Sequence, residues 1–162
     1  MYFISDRPLP GYSLERYNVW RSRVSRHGLL TPEPLGSVIN GPGHELYPLL
    51  VADGSLYFSA EREDSIGGRD SYRAQFKGGE FGQPENLGPG INGSTGEGDI
   101  YVSPDESCII HVSSGRPGGF GGADLYISYR KADGSWSRGI NMGDDIMWVD
   151  AAIIDTYRDQ VR

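Results

Sequence analysis

Short runs of alternating apolar and polar side chains, punctuated by Gly, Asp and Pro, recur along the whole chain. Residues 124–128 (Asp-Leu-Tyr-Ile-Ser) carry the period of two that sends alternate side chains to opposite faces of a strand. The Ala132-Asp133-Gly134-Ser135 step that follows supplies the residues a hairpin turn demands. A helical period of 3.6 is absent there, so the pattern predicts strands.

The pattern also repeats. Tyr2-Phe3-Ile4-Ser5-Asp6-Arg7, Tyr57-Phe58-Ser59-Ala60-Glu61-Arg62 and His111-Val112-Ser113-Ser114-Gly115-Arg116 align without gaps, their arginines 55 and 54 residues apart. A second anchor follows each: Asn18-Val19-Trp20, Asp70-Ser71-Tyr72 and Asp124-Leu125-Tyr126. A third joins an aromatic to a later Gly, as in Phe81 to Gly88 and Trp136 to Gly143, with Leu30 to Gly36 as a shortened version. Ile39-Asn40-Gly41 recurs as Ile91-Asn92-Gly93, and Val51-Ala52-Asp53-Gly54 corresponds to Ser103-Pro104-Asp105-Glu106. One unit is about four strands, the length and texture of a propeller blade rather than of a solenoid repeat.

The order of motifs resembles the TolB-type, WD-like β-propeller repeat. Ser103-Pro104-Asp105, Ser5-Asp6-Arg7-Pro8, Gly115-Arg116-Pro117-Gly118-Gly119 and Asp124-Leu125-Tyr126-Ile127-Ser128 carry the likeness, which covers nearly the whole chain. It implies an all-β fold of about three four-stranded blades, an incomplete propeller, with a short C-terminal helical tail. It implies no particular activity, because the family includes accessory and binding propellers and elsewhere the repeat is joined to peptidase domains. On this reading residues 1–43 are a partial blade, 44–95 and 96–143 two blades, and 144–162 a closing strand and tail of a single domain.

Closed propellers have roughly four to eight blades, so about three units do not close a ring. An open fan leaves strand edges and faces bare. The expectation is a homo-oligomer, two chains making a ring of six blade equivalents, with residues 147–154 of one chain completing the first blade of the other. The rival is a truncated product that survives as an open fan.

Charge and composition narrow the partners. The chain has 162 residues, 24 of them Gly and 10 Pro, and a net charge of −7 with its basic residues scattered, which disfavours nucleic acid. Its apolar runs are far shorter than a spanning helix needs, so no membrane insertion is expected. The first residues lack the basic and apolar regions of a secretory signal, which reads as cytoplasmic, or as periplasmic or secreted if a signal has been removed. The single cysteine, Cys108, excludes an intrachain disulfide and a Cys-based zinc cluster and fits a reducing compartment.

Several residues are candidates for chemistry. The repeated Arg7, Arg62 and Arg116 offer forks for a carboxylate or sulfate, or else tie neighbouring strands and blades together. His44-Glu45-Leu46-Tyr47 and Glu97-Gly98-Asp99-Ile100-Tyr101 hold equivalent places at the start of the inner strand, where acids and aromatics suit a sugar, a cation or a basic peptide; ordinary strand-start polarity is the plainer alternative. Residues 64–70 and 118–124 set carboxylates beside Gly-rich loops, a weak calcium pattern without EF-hand spacing, and glycines there equally permit positive φ in a hairpin. His27, His44 and His111 are too scattered for a zinc site, and His111 takes the place of Tyr2 and Tyr57 as a packed strand residue. Neither H-E-x-x-H nor G-x-S-x-G occurs, and Cys108 has no obvious base beside it.

No catalytic residue, metal ligand or cofactor is assigned. The reading is a non-catalytic propeller-repeat module that binds a protein or small ligand, carbohydrate included, through Arg7, Arg62, Arg116, His44, Glu45, Tyr47, Glu97, Asp99 and Tyr101. The alternative is a sialidase-like or other glycan-acting propeller enzyme, for which no spacing establishes the paired groups a retaining mechanism needs.

Overall fold

A computed structural model describes residues 1–9, 16–143 and 153–158. The architecture is all-β, built from several small antiparallel sheets of which none closes on itself. The first sheet has three strands, β1 (Tyr2–Ser5), β2 (Asn18–Arg21) and β5 (Glu33–Pro34), with the hairpin β3 (Val24–Ser25) and β4 (Gly28–Leu29) between the last two. The second runs as a four-stranded meander of β6 (Glu45–Leu50), β7 (Leu56–Ala60), β8 (Asp70–Ala74) and β11 (Glu85–Asn86); a hairpin of β9 (Phe76–Lys77) and β10 (Glu80–Phe81) precedes β11. The third repeats the meander with β12 (Glu97–Val102), β13 (Cys108–Ser114), β14 (Ala123–Tyr129) and β15 (Ile140–Gly143). The last element is a six-residue helix, α1 (Ile153–Arg158). The expected closing strand falls mostly on residues 144–152, outside the described residues.

Turn chemistry sets the hairpins. Between β6 and β7 the Gly54 N–H donates to the Val51 carbonyl, Asp53 accepts from the Ser55 N–H at 2.7 Å, and Gly54 takes φ 86°. Gly134, with φ 84°, Lys131 and Asp133 rebuild the same turn in the third unit. Between β12 and β13 the equivalent turn places Glu106 at φ 56°, a costly conformation for a side chain with a Cβ. Its carboxylate accounts for the choice: it accepts from Arg73 at 2.7 and 3.2 Å and from the Tyr57 hydroxyl, tying the third sheet to the second.

The sheets stack in chain order. β6 packs against β1 and β2 on one side and β12 on the other. Val19, Leu35 and Ile39 meet Leu56, Phe58 and Tyr72 between the first two sheets. Tyr57 and Val51 meet Ile91, Ile100, Ile109 and Trp136 between the second and third. Each fully buried large apolar side chain contributes about 1.5–3 kcal/mol. The far face of the third sheet carries Cys108, Ile127 and Tyr129, and there α1 lays Ile154 and Tyr157 across the cluster while the Tyr129 hydroxyl donates to the Ile154 carbonyl. Ile154 thus packs on the third sheet of its own chain.

Strand register corrects one alignment. Ser5 pairs with Asn18, Ala60 with Asp70 and Ser113 with Asp124. Phe3, Phe58 and His111 are therefore equivalent, facing Trp20, Tyr72 and Tyr126 respectively. His111 replaces a phenylalanine, not Tyr2 or Tyr57, because the third unit holds one extra residue between Ser113 and Arg116.

Candidate functional site

The junctions between sheets are where the repeated polar residues gather. After each sheet the chain passes through Ile-Asn-Gly before starting the next. Asn40 lies buried there, its Oδ1 accepting from the Val19 N–H at 2.8 Å and its Nδ2 donating to the carbonyls of Val19 and Leu35 at 3.1 and 2.7 Å. Asn92 repeats this on Ser71, accepting from its N–H at 2.8 Å and donating to its carbonyl at 3.0 Å, and gives its other proton to Asn86 at 2.7 Å. Both asparagines pin a loop to the strand before it, satisfying backbone groups that would otherwise be buried without partners.

The next sheet grips the same loops. Arg62 stacks over Phe58 and Tyr72, with the guanidinium carbon 5.3 and 5.6 Å from the ring centres, and donates to the Ile39 carbonyl at 2.5 Å. Arg116 stacks over Tyr126 at 5.0 Å, donates through Nε to the Ser113 hydroxyl at 2.8 Å and reaches the Ile91 carbonyl. Arg7 lies over Trp20 in the same pose, 5.6 Å from the ring centre, but its exposed guanidinium meets no carbonyl among the described residues. Trp20 itself is buried with its indole N–H unpartnered, whereas the equivalent Tyr72 hydroxyl bonds Ser65 and Asp64.

Glu45 and Glu97 sit beneath the two complete junctions, both buried. Glu45 accepts from the Gly41 N–H at 2.9 Å; burial pushes its carboxyl up to about 7 against the opposing pull of that bond and of Arg62 and Arg16. Glu97 accepts from the Ser113 hydroxyl at 2.8 Å and lies 3.5 Å from Arg116; burial raises its carboxyl too, with Gly93, Ser113 and Arg116 opposing and Asp70 adding to the rise. Each keeps one oxygen without a partner.

A step further along the first strands, equivalent bulges interrupt the ladders between Leu46 and Leu49 and between Gly98 and Ile100. Tyr47 at φ 54° and Asp99 at φ 28° adopt left-handed backbone there. A Cβ added at Gly98 would come within 3.3 Å of the Tyr47 ring, so the two bulges touch. Tyr47, Asp99 and Tyr101 line a shallow depression of about 300 Å³, with Asp99 and Tyr101 exposed. His44 lies outside it, accepting from the Tyr17 N–H at 3.1 Å.

The Gly-rich loops are built around their own carboxylates. Asp70 accepts from the Ile66 N–H and from Asn86, both at 2.7 Å, and Asp124 accepts from the Phe120 N–H at 3.0 and 3.2 Å. One Asp70 oxygen and both Asp124 oxygens are thus turned to N–H donors, and among the described residues no three His, Cys, Asp or Glu side chains are placed to hold a metal ion. Positive φ explains only Gly118 in these loops. Gly67 is needed for close approach, since a Cβ there would sit closer than 3 Å to the carbonyls of Gly93 and Thr95.

Beside Arg116 the third sheet opens a cavity of about 340 Å³, lined also by Ser94, Tyr126, Arg138 and Gly139. Behind it His111 is completely buried against Tyr126 with both ring nitrogens unpartnered, and burial, with Arg116 adding, pulls its pKa down to about 3. Cys108 is buried in the apolar cluster under α1.

Asn40, Asn92, Arg73, Glu106 and Arg138 escaped the sequence reading as working residues. The two asparagines did stand in the repeat, where recurrence of a polar residue in an apolar setting was the available signal. No protein-family model and no curated protein matches the chain. Among the described residues no helix is long and apolar enough to cross a membrane.

Proposed function

We propose that the chain is a non-catalytic binding module made of TolB-type β-propeller blades, whose first sheet docks a further sheet of the same kind. The observation that carries this is Arg7. In both complete junctions the equivalent arginine, stacked on its aromatic, donates to an Ile carbonyl of the preceding Ile-Asn-Gly loop. Arg7 is stacked on Trp20 in readiness, but its guanidinium has no such acceptor among the described residues.

Association then gives a pair of chains. The far face of the third sheet is covered by α1, which leaves the first sheet, among the described residues, as the face that docks a second copy of this chain. Protein or carbohydrate ligands are taken at the bulged first strands, where Tyr47, Asp99 and Tyr101 present aromatic and acidic groups that the fold's own hydrogen bonding leaves to solvent. Left-handed backbone at a Tyr and an Asp costs about 1–3 kcal/mol each, a cost that recurs at recognition sites.

Light scattering on the chain at tens of micromolar tests the docking. The expected mass is twice the 17.8 kDa of one chain, falling to one chain in Arg7→Glu. A single-chain mass for the unsubstituted protein overturns the reading.

A further inference from the structure

The third sheet differs from the second in where its positive charge lies. Asn86 pairs with Tyr72 and Asn141 with Tyr126, which makes Gln83 the counterpart of Arg138. The second sheet sets Asp64 on the Tyr72 hydroxyl, while the loop after Arg116 reads Pro117-Gly118-Gly119 and offers no acid. The first junction thus sets Glu45 and Asp64 near Arg62, whereas at its counterpart Arg116 and Arg138 line one cavity, with Glu97 the carboxylate beside Arg116.

From the cavity beside Arg116, with its two arginines and its opening to solvent, we infer a binding site for the oxyanion of a small ligand, a carboxylate or a sulfate on a molecule of about sugar size. Arg116 is held in place by its bonds to Ser113 and Ile91 and by Tyr126 beneath it, so little side-chain freedom is lost when a ligand arrives. Its remaining Nη1 lies within 3.2 Å of the point a Cβ on Gly139 would occupy; the absence of that Cβ leaves the guanidinium edge open to the cavity. Arg138 lines the same space, exposed and without an acidic partner among the described residues. The two cations disfavour one another, for Arg138 adds to the burial that lowers the Arg116 pKa. An anion between them relieves that repulsion and accepts charge-assisted hydrogen bonds from both. At about 340 Å³ the space suits a monosaccharide acid, and the Tyr126 ring gives it an apolar wall. The chain's net charge of −7 repels anions in general, so an anion is held only where cationic side chains converge, as Arg116 and Arg138 do here.

Titration calorimetry at fixed ionic strength, with chloride as the balancing anion, tests the site with three probes: glucuronate, sodium sulfate and uncharged glucose. Glucuronate or sulfate is expected to bind and glucose not to, the stronger of the two anions identifying the source of the oxyanion. Arg138→Gln, on the surface and outside every junction bond, should weaken the anion about tenfold or more while leaving the thermal melt unchanged. The inference is overturned if neither anion binds, if glucose binds as well as glucuronate, or if Arg138→Gln binds like the parent. Light scattering on the same samples separates this from the docking reading: a dimer that binds no anion sinks only the oxyanion site.

Discussion

His111→Phe isolates the energetics of the one polar residue that stands where its two repeats use phenylalanine. The ring is fully buried, stacks on Tyr126 at 5.9 Å and leaves both nitrogens without partners. Its pKa is about 3 in the folded chain, against an ordinary value near 6.5 in the unfolded one. Because the folded value is depressed, the unfolded chain takes up the proton first, and stability falls as the pH drops from about 6.5 toward 3. By pH 4.5, two units below the unfolded pKa, the loss is about 2–3 kcal/mol. Phenylalanine removes that proton uptake. Near pH 7.5 the substitution also removes two unpaired buried nitrogens, worth about 1–3 kcal/mol, but brings a larger ring that costs a similar amount if the site is tight. The decisive quantity is therefore how the difference between variant and parent changes with pH. Glu45 titrates in the opposite sense in both proteins and cancels in that difference. Urea unfolding followed by tryptophan fluorescence at pH 7.5, 6.0, 5.0 and 4.5 should show His111→Phe gaining about 2 kcal/mol on the parent across the series. Parallel curves would refute a buried, neutral imidazole.

Glu45→Gln keeps the acceptor for the Gly41 N–H and abolishes a carboxyl whose pKa is raised to about 7. The parent's contribution is complete below pH 4.5 and lost as the pH rises through 7, so the variant should gain about 3 kcal/mol on the parent between pH 4.5 and 8 in the same unfolding assay. Asn92→Ala strands the N–H of Ser71 at the second junction, and Asn40→Ala that of Val19 at the first, while the carbonyls of Ser71 and Val19 keep the N–H groups of Leu87 and Leu35; each should cost about 1–3 kcal/mol in urea, and a loss under about 0.5 would remove the asparagines from the fastening of the sheets. Gly67→Ala forces a methyl against the carbonyls of Gly93 and Thr95 and should lower the melting temperature by ten degrees or more; Gly121→Ala, in open space on the equivalent loop of the third unit, should leave it within about two degrees.

The all-β class and the hairpin turns were legible in the sequence because they depend on local chemistry. Alternation places side chains on the two faces of a strand, and Asp-Gly steps such as Asp53-Gly54 and Asp133-Gly134 close hairpins through bonds between near neighbours. The anchors Asn18, Asp70 and Asp124 were aligned correctly for the same reason, each lying at or next to the start of a strand. Tertiary structure decided what depends on partners distant in sequence. The equivalence of His111 with Phe58 follows from cross-strand pairing, which a gapless comparison of residue types does not detect once a single residue has been inserted. The arginines illustrate the limit most clearly. Arg7, Arg62 and Arg116 read alike along the chain, yet two donate to a carbonyl more than twenty residues away and one does not. Likewise Gly67 and Gly54 are the same residue chosen for different causes, one for the approach of a loop about thirty residues on and the other for its own φ. Sequence by itself determined the repeating strand unit, since that is short-range geometry; the use of each repeated polar group was decided by which neighbour the stacked sheets placed opposite it.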